Sequence, residues 1–237
     1  MILIKEDKLI TRISIIIPTL NESINLPLLL SDLSEIHNRS EILVIDSTST
    51  DKTKDIALIN GARFYKINKN NRGLQLNYGA KKAKGEWLFF IHADSRLQFN
   101  WSKEIEDIVK KDSNIVYFFN FKINNKFFAY RFLEFLVNLR CFLFQTPYGD
   151  QGLLISKANF KTLGGYKTIP IMEDFDIIER IDKNYLKSLK TNIYTSSRKW
   201  DNGNFIWQSI KNWNLRRLWR KGYSIKRIYK NYYETKK

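Results

Sequence analysis

Three acidic signals in this chain stand where chemistry could be done. Asn21-Glu22, Asp46 with Asp51, and Asp94 each follow directly on a short apolar, strand-forming run. In an open parallel sheet, ligands bind outside the carboxyl ends of the strands. One acid after a strand is commonplace; three in register define a shared site. Asp46 and Asp51 can also simply cap the helix that follows them, and one side chain can do both jobs.

A nucleotide is the natural ligand to test against such an edge. After the first strand the chain reads Pro18-Thr19-Leu20-Asn21-Glu22. A dinucleotide fold would carry G-x-G-x-x-G there, and a P-loop would carry G-K-[ST]. Oxidoreductase and P-loop NTPase readings therefore lose their main support. Phosphates must be neutralised by a carboxylate-bound metal and by basic side chains. Asp94 can supply the metal ligand. Arg72 and Arg198 are candidate phosphate partners, since a guanidinium matches phosphate oxygens in a two-pronged fork; either can equally be an exposed surface charge. With His37, His92 and Cys141 alone of their kinds, a Cys/His zinc cluster and an internal disulfide framework are excluded. A hard ion, Mg²⁺ or Mn²⁺, fits carboxylate ligands.

The elements needed to position these groups are legible. Residues 13–17, 41–45, 62–67 and 86–91 read as strands. Between them lie helical patterns over 26–36, a short segment ending at Asn60, and 73–84. Asn25 reads as an N-cap, and Pro27 is tolerated in the first turn. This β-α-β-α-β-α-β order predicts an α/β fold: an open, largely parallel twisted sheet with helices on both faces. Further on, 115–123 and 152–155 read as strands, and 126–144, 157–163 and 174–184 as helices. The tail reads as two helices split near Gly222.

The residues then carry a resemblance. Ile13-Ser14-Ile15-Ile16-Ile17-Pro18-Thr19-Leu20-Asn21-Glu22, Val44-Ile45-Asp46 with Ser49-Thr50-Asp51-Lys52-Thr53, and His92-Ala93-Asp94-Ser95 resemble a family 2 glycosyltransferase of GT-A, Rossmann-like fold. Gly149-Asp150-Gln151, Leu163-Gly164-Gly165-Tyr166, Met172-Glu173-Asp174 and Ser197-Arg198-Lys199-Trp200 are similar to a small bacterial branch of it. The resemblance implies that Pro18 and Glu22 line a nucleotide-sugar pocket, that Asp46 binds the base and that Asp51 supports that loop. It places Asp94 at the last carboxylate of the metal-binding D-x-D, with His92 at the first position. His92 reads equally well as a neutral structural histidine. Asp174 matches the catalytic base and Glu173 stands beside it. The pair also suits an ordinary helix N-terminus, favoured by the dipole. Asp150 and Gln151 are expected on the acceptor side, or in a polar turn. Trp200 could stack on a sugar or lipid head group, though such an aromatic is as often core. The implied reaction is inverting transfer from a nucleotide-sugar to a hydroxyl or carboxyl of a lipid (polyisoprenoid or carotenoid type) or of a saccharide.

Size and charge bound the rest. The 237 residues suffice for a substantial core, with 43% hydrophobic and 27% charged residues, close to ordinary globular usage. We expect a glycosyltransferase domain over 12–200 and a basic, Trp-rich helical extension over 201–237, packed on or beside it. From Arg198 onward twelve basic residues face only Asp201 and Glu234, a surplus of ten out of a net +16, and four of six Trp lie there. Such a tail suits an anionic membrane surface. The competing reading is a basic nucleic-acid-binding module, which leaves Glu22, Asp46, Asp94 and Asp174 without a purpose. Residues 1–11 lack a signal-peptide core, and 127–144 is broken by charges. A cytoplasmic protein, peripheral at the inner membrane face, is the expectation.

Overall fold

A computed structural model describes residues 13–111, 114–125, 127–196 and 205–233. Its strands are β1 (Ile13–Thr19), β2 (Ser40–Asp46), β3 (Arg63–Lys66), β4 (Trp87–Phe90), β5 (Ser95–Leu97), β6 (Val116–Ile123), β7 (Leu153–Ser156) and β8 (Leu186–Thr195). They form one sheet in the order β3-β2-β1-β4-β7-β6-β8-β5. Strands β3, β2, β1 and β4 run parallel. Strand β7 is antiparallel to both β4 and β6, β8 runs parallel to β6, and β5 closes the edge antiparallel to β8.

The helices are α1 (Leu26–Leu33), α2 (Thr53–Ile59), α3 (Arg72–Lys82), α4 (Trp101–Val109), α5 (Phe128–Phe144), α6 (Lys157–Thr162), α7 (Glu173–Arg180), α8 (Phe205–Arg220) and α9 (Ile225–Tyr233). Side chains alternate across a strand, and this sheet is covered on both faces. Ile13, Ile15 and Ile17 join Leu29, Ala57 and Trp101 in one core layer. Ile16 joins Leu76, Phe160 and Ile177 in the other. That double burial is why the strands read as continuous apolar runs.

Three features differ from the sequence expectation. Strands β5 and β8 and helix α4 were not anticipated. Helix α7 ends at Arg180, not at residue 184. Asn25 occupies the N-cap of α1 without a side-chain cap; its Nδ2 donates instead to Glu22 Oε2 at 2.7 Å. In the tail helices Leu215 and Ile228 are buried, and Arg220 pairs with Glu179 of α7 at 3.0 Å.

Candidate active site

The carboxyl edge of the parallel strands gathers the predicted acids. Strands β1 and β2 run in register, Thr19 beside Asp46. Beyond them the chains part, and Gln75 of α3 fills the fork. Its buried Nε2 donates to Thr19 O (2.9 Å) and Ile45 O (2.7 Å). It gives each of these carbonyls a side-chain donor where the ladder ends; Thr19 O also accepts Ser47 N at 2.9 Å. Helix α3 can sit this close because Gly79 faces Ile16; a Cβ there would lie 2.5 Å from the Ile16 Cγ2.

Asp46, 1% exposed, latches the two loops of this fork. Its carboxylate accepts Ser49 N (2.9 Å), Thr19 Oγ1 (3.2 Å) and Ser49 Oγ. Ser49 Oγ in turn accepts Asn21 N at 2.7 Å, and Asn21 Oδ1 accepts Thr50 N at 2.9 Å. Asn21 stands in the left-handed region, φ 55°, which Asn tolerates. Asp51 accepts Ser23 N and Thr53 N, both at 3.0 Å, while Thr53 Oγ1 donates to Asp51 and accepts Glu22 N at 2.9 Å. Burial works against the Asp51 charge, but the hydrogen bonds from Thr53 and Ser23 outweigh it and hold the carboxyl at about 2. The loops carrying Pro18 through Asn25 and Asp46 through Thr53 are thus one cross-braced unit.

Opposite this unit stands the N-terminus of α7. Asp174 accepts Gly149 N (2.9 Å) and Phe175 N (2.8 Å). Gly149 is hemmed in: a Cβ there would lie 3.0 Å from Asp174 Oδ2 and 3.1 Å from His92 Nε2. A pocket of about 20 Å³ opens here, lined by His92, Gly149, Tyr166, Glu173 and Asp174 among others, enough for one water. Glu173 is 2% exposed. Burial first, and the charge of Asp174 second, push its carboxyl up to about 7 although Arg72 opposes this. Burial first, and the same two carboxyls after it, push the Tyr166 phenol well up.

Arg72 opens α3 and links the two sides. It lies 3.7 Å from Glu173 Oε1, with about half its side chain exposed. Burial lowers its basicity, yet Glu173, Asp174 and Asp94 more than compensate and hold the guanidinium above its ordinary value. Gly73 permits this placement, because a Cβ there would lie 2.0 Å from the Lys167 carbonyl oxygen. The structure therefore brings Asp94, Arg72, Glu173 and Asp174 together, beside the Glu22–Asp46–Asp51 unit.

Three expectations need revision or stand outside the description. Gln151 does not face the cleft: it is wholly buried. Its Oε1 accepts Tyr148 N (3.2 Å) and Cys141 Sγ (3.2 Å), and its Nε2 donates to Phe119 O (3.1 Å). It braces the floor beneath Asp150. Arg198 and Trp200 lie outside the described residues. Arg216 of α8, by contrast, was not singled out from sequence. Its guanidinium carbon sits 4.3 Å from the centre of the Tyr148 ring, with Arg140 at 3.8 Å from the same centroid. Burial lowers Arg216, and Tyr148, Asp174 and Asp150 act in the other direction. The tail thus delivers a cation to the cleft, and no local pattern in sequence marks which tail residue does so.

Among the described residues no three His, Cys, Asp or Glu side chains converge to hold a metal. The donor set still fits a hard divalent ion, because such ions keep several waters and bind through one or two carboxylates plus substrate phosphates. Asp94, with His92 two residues before it, is that kind of partial set.

A mostly parallel sheet wrapped by helices, with its acids at the carboxyl edge, is the GT-A glycosyltransferase architecture. The Glycosyl transferase family 2 model matches residues 14–164, and the chain belongs to that family. A 4,4'-diaponeurosporenoate glycosyltransferase of Staphylococcus haemolyticus is 34% identical over 113 residues, which is 45% of this chain and 30% of that protein. A PGL/p-HBAD biosynthesis glycosyltransferase of Mycobacterium bovis is 37% identical over 91 residues, 35% of this chain and 36% of that protein. These matches therefore span about a third of each relative's length. Among solved structures, S. aureus TarS 1-349 in complex with UDP-GlcNAc superposes with TM-score 0.62 at 18% identity, covering 78% of this chain and 58% of that one. Glucosyl-3-phosphoglycerate synthase from Mycobacterium tuberculosis, solved with Mn²⁺, UDP and glucosyl-3-phosphoglycerate, gives 0.55 at 18%, covering 78% and 71%.

Proposed function

We propose that this chain is an inverting glycosyltransferase that moves a sugar from a nucleotide-sugar to an acceptor hydroxyl or carboxyl. The observation that carries the reading is the meeting of Asp94, Arg72 and Glu173-Asp174 beside the braced Glu22–Asp46–Asp51 loops, in a chain of this family. Pro18, Glu22 and Asp46 shape the nucleotide pocket, and Asp51 keeps its loop in place. A carboxylate offers about four acceptor positions, so Asp46, with three hydrogen bonds drawn, retains one for a nucleobase N–H. Arg72 and Arg216 lie where they can neutralise charge gathering on a departing diphosphate. Asp94, with His92, would hold Mg²⁺ or Mn²⁺, which when bound polarises the diphosphate oxygens.

Asp174 acts as general base. It takes the acceptor proton while the acceptor oxygen attacks the anomeric carbon from the face opposite the diphosphate. The carbon–oxygen bond to phosphate breaks, its electron pair leaves with the diphosphate, and the configuration inverts. The N–H groups of Gly149 and Phe175 aim the carboxylate. Asp150, next to Arg216 electrostatically, marks the acceptor side.

The names of the relatives favour a lipid-like acceptor, of polyisoprenoid or carotenoid type, with a saccharide as the second choice. The nucleic-acid reading loses ground because Arg216 and Arg220 turn toward Tyr148 and Glu179. A thermal-shift screen of nucleotide-sugars with and without Mn²⁺ tests the proposal. A donor at a hundred times its dissociation constant stabilises by about 2.7 kcal/mol. Absence of any stabilising nucleotide-sugar, in either condition, would contradict it.

A further inference from the structure

Helix α5 is apolar on the side that packs and on the side that does not. Tyr130, Leu133 and Cys141 are buried, and Tyr130 and Leu133 pack against Phe121 and Ile123 of β6. On the other side Phe128, Phe132, Phe135, Leu139, Phe142 and Leu143 are exposed, Phe128 by 82% and Phe142 by 77%. At 100° per residue these six fall within roughly 100° of arc. A Phe side chain carries about 150–250 Å², so the face presents roughly 700 Å² of apolar surface. The largest patch on a typical monomer is about 300–600 Å². A helix apolar all round is normally covered on all sides. Yet no helix among the described residues is long and apolar enough to cross a membrane.

Charge identifies what covers it. Glu134 is the sole acid of α5, and it is 2% exposed. Arg131 and Lys122 hold it at 2.8 and 3.4 Å, so the border of the apolar face is cationic. A groove of about 510 Å³ runs along the same face between Phe135, Leu139 and Phe142 and the residues of β6 and β8, with Lys187 in its lining. A second copy would set like charges against each other, each chain carrying +16. A bilayer with anionic headgroups takes both features at once: apolar side chains enter the acyl boundary, and the flanking cations meet the headgroups.

We propose that α5 is an interfacial helix that seats this protein on an anionic membrane surface. The assignment moves the membrane contact from the basic tail to α5. At its far end Arg140 stacks on Tyr148, the residue before Gly149, so the seated face adjoins the acceptor side of the cleft. The role of the contact rests on the lipid-acceptor reading; the contact itself does not.

Vesicle co-sedimentation of the full chain tests it, with phosphatidylcholine vesicles and with phosphatidylcholine–phosphatidylglycerol vesicles, at low and physiological salt. Wild type should bind the anionic vesicles and bind them less as salt rises. The variant Phe128→Ser/Phe132→Ser/Phe142→Ser should lose at least about tenfold in affinity, since three exposed Phe no longer leave water. Its melting temperature and nucleotide binding should match wild type. Each single substitution should weaken binding in part, which keeps the test alive if the triple variant does not fold. Equal vesicle binding by wild type and a folded variant would overturn the proposal. So would a wild-type dimer in sedimentation velocity that the variant abolishes while neither binds vesicles. Because no sugar donor is present, failure here leaves the transferase reading standing, and failure of the donor screen leaves this one standing.

Discussion

Glu173 offers a physical test of the cleft that needs no substrate. Its carboxyl rises from 4.5 to about 7 through burial and the neighbouring Asp174. Below pH 4.5 it is neutral in the folded and unfolded chain alike. Between 4.5 and 7 the unfolded chain loses the proton and the folded one keeps it, so stability falls as pH rises. Above 7 both are ionised and the penalty is constant. At about 1.4 kcal/mol per pH unit, the penalty is about 1 kcal/mol at pH 5 and about 3 kcal/mol at pH 8. Glu173→Gln keeps the shape and removes the ionisation. Urea unfolding of both proteins should therefore show a variant advantage that grows from about 1 to about 3 kcal/mol over this range. For a chain of this size that corresponds to roughly 6–12 °C in melting temperature at pH 8. A gap that does not change with pH would show that ionisation is not the cause. A variant less stable than wild type at pH 8 would show that the Glu173 carboxylate and Arg72 form a net stabilising pair.

Two further substitutions address the nucleotide side. Asp46→Ala strips the acceptor from Thr19 Oγ1 and Ser49; calorimetry should show weaker metal-free nucleotide binding, and unfolding a loss of about 1–3 kcal/mol per stranded donor. Asp94→Ala should leave metal-free binding unchanged. Gly73→Ala forces a Cβ toward the Lys167 carbonyl, so we expect about 1–3 kcal/mol of destabilisation and weaker donor binding through displaced Arg72, read by melting and thermal shift.

Much of this architecture was legible because burial on both faces writes itself as apolar runs. Residues 13–17, 42–45 and 87–91 are such runs; Asp46 follows the second at once, and Asp94 follows the third after His92-Ala93. Strand β8 was missed because its first half breaks the alternation, with exposed Lys187 and Ser188 side by side between buried Leu186 and Leu189. Helix α4 did carry a signal, Trp101, Ile105 and Val109 at intervals of four. Gln75 and Arg216 could not be found locally. Gln75 acts on a carbonyl 56 residues away, and Arg216 matters only because α8 folds back onto Tyr148. Gln151 read as acceptor-facing or as part of a polar turn; it lies in the turn at Gly149–Gln151 and is buried, and a buried glutamine and a ligand-facing one look alike in sequence.

On the proposed function, Asp174 moves the acceptor proton while Asp94 serves the donor. Transfer under donor saturation, measured with donor affinity in the same preparations, separates the two. A general base contributes about 10²–10⁴ in rate. Asp174→Asn should keep metal-dependent donor affinity and lose transfer by about that factor, whereas Asp94→Asn should lose the metal-dependent part of donor affinity itself. An Asp174→Asn protein that binds donor poorly yet transfers at a near-normal rate once saturated would contradict the account and move the base to Glu173 or Asp150.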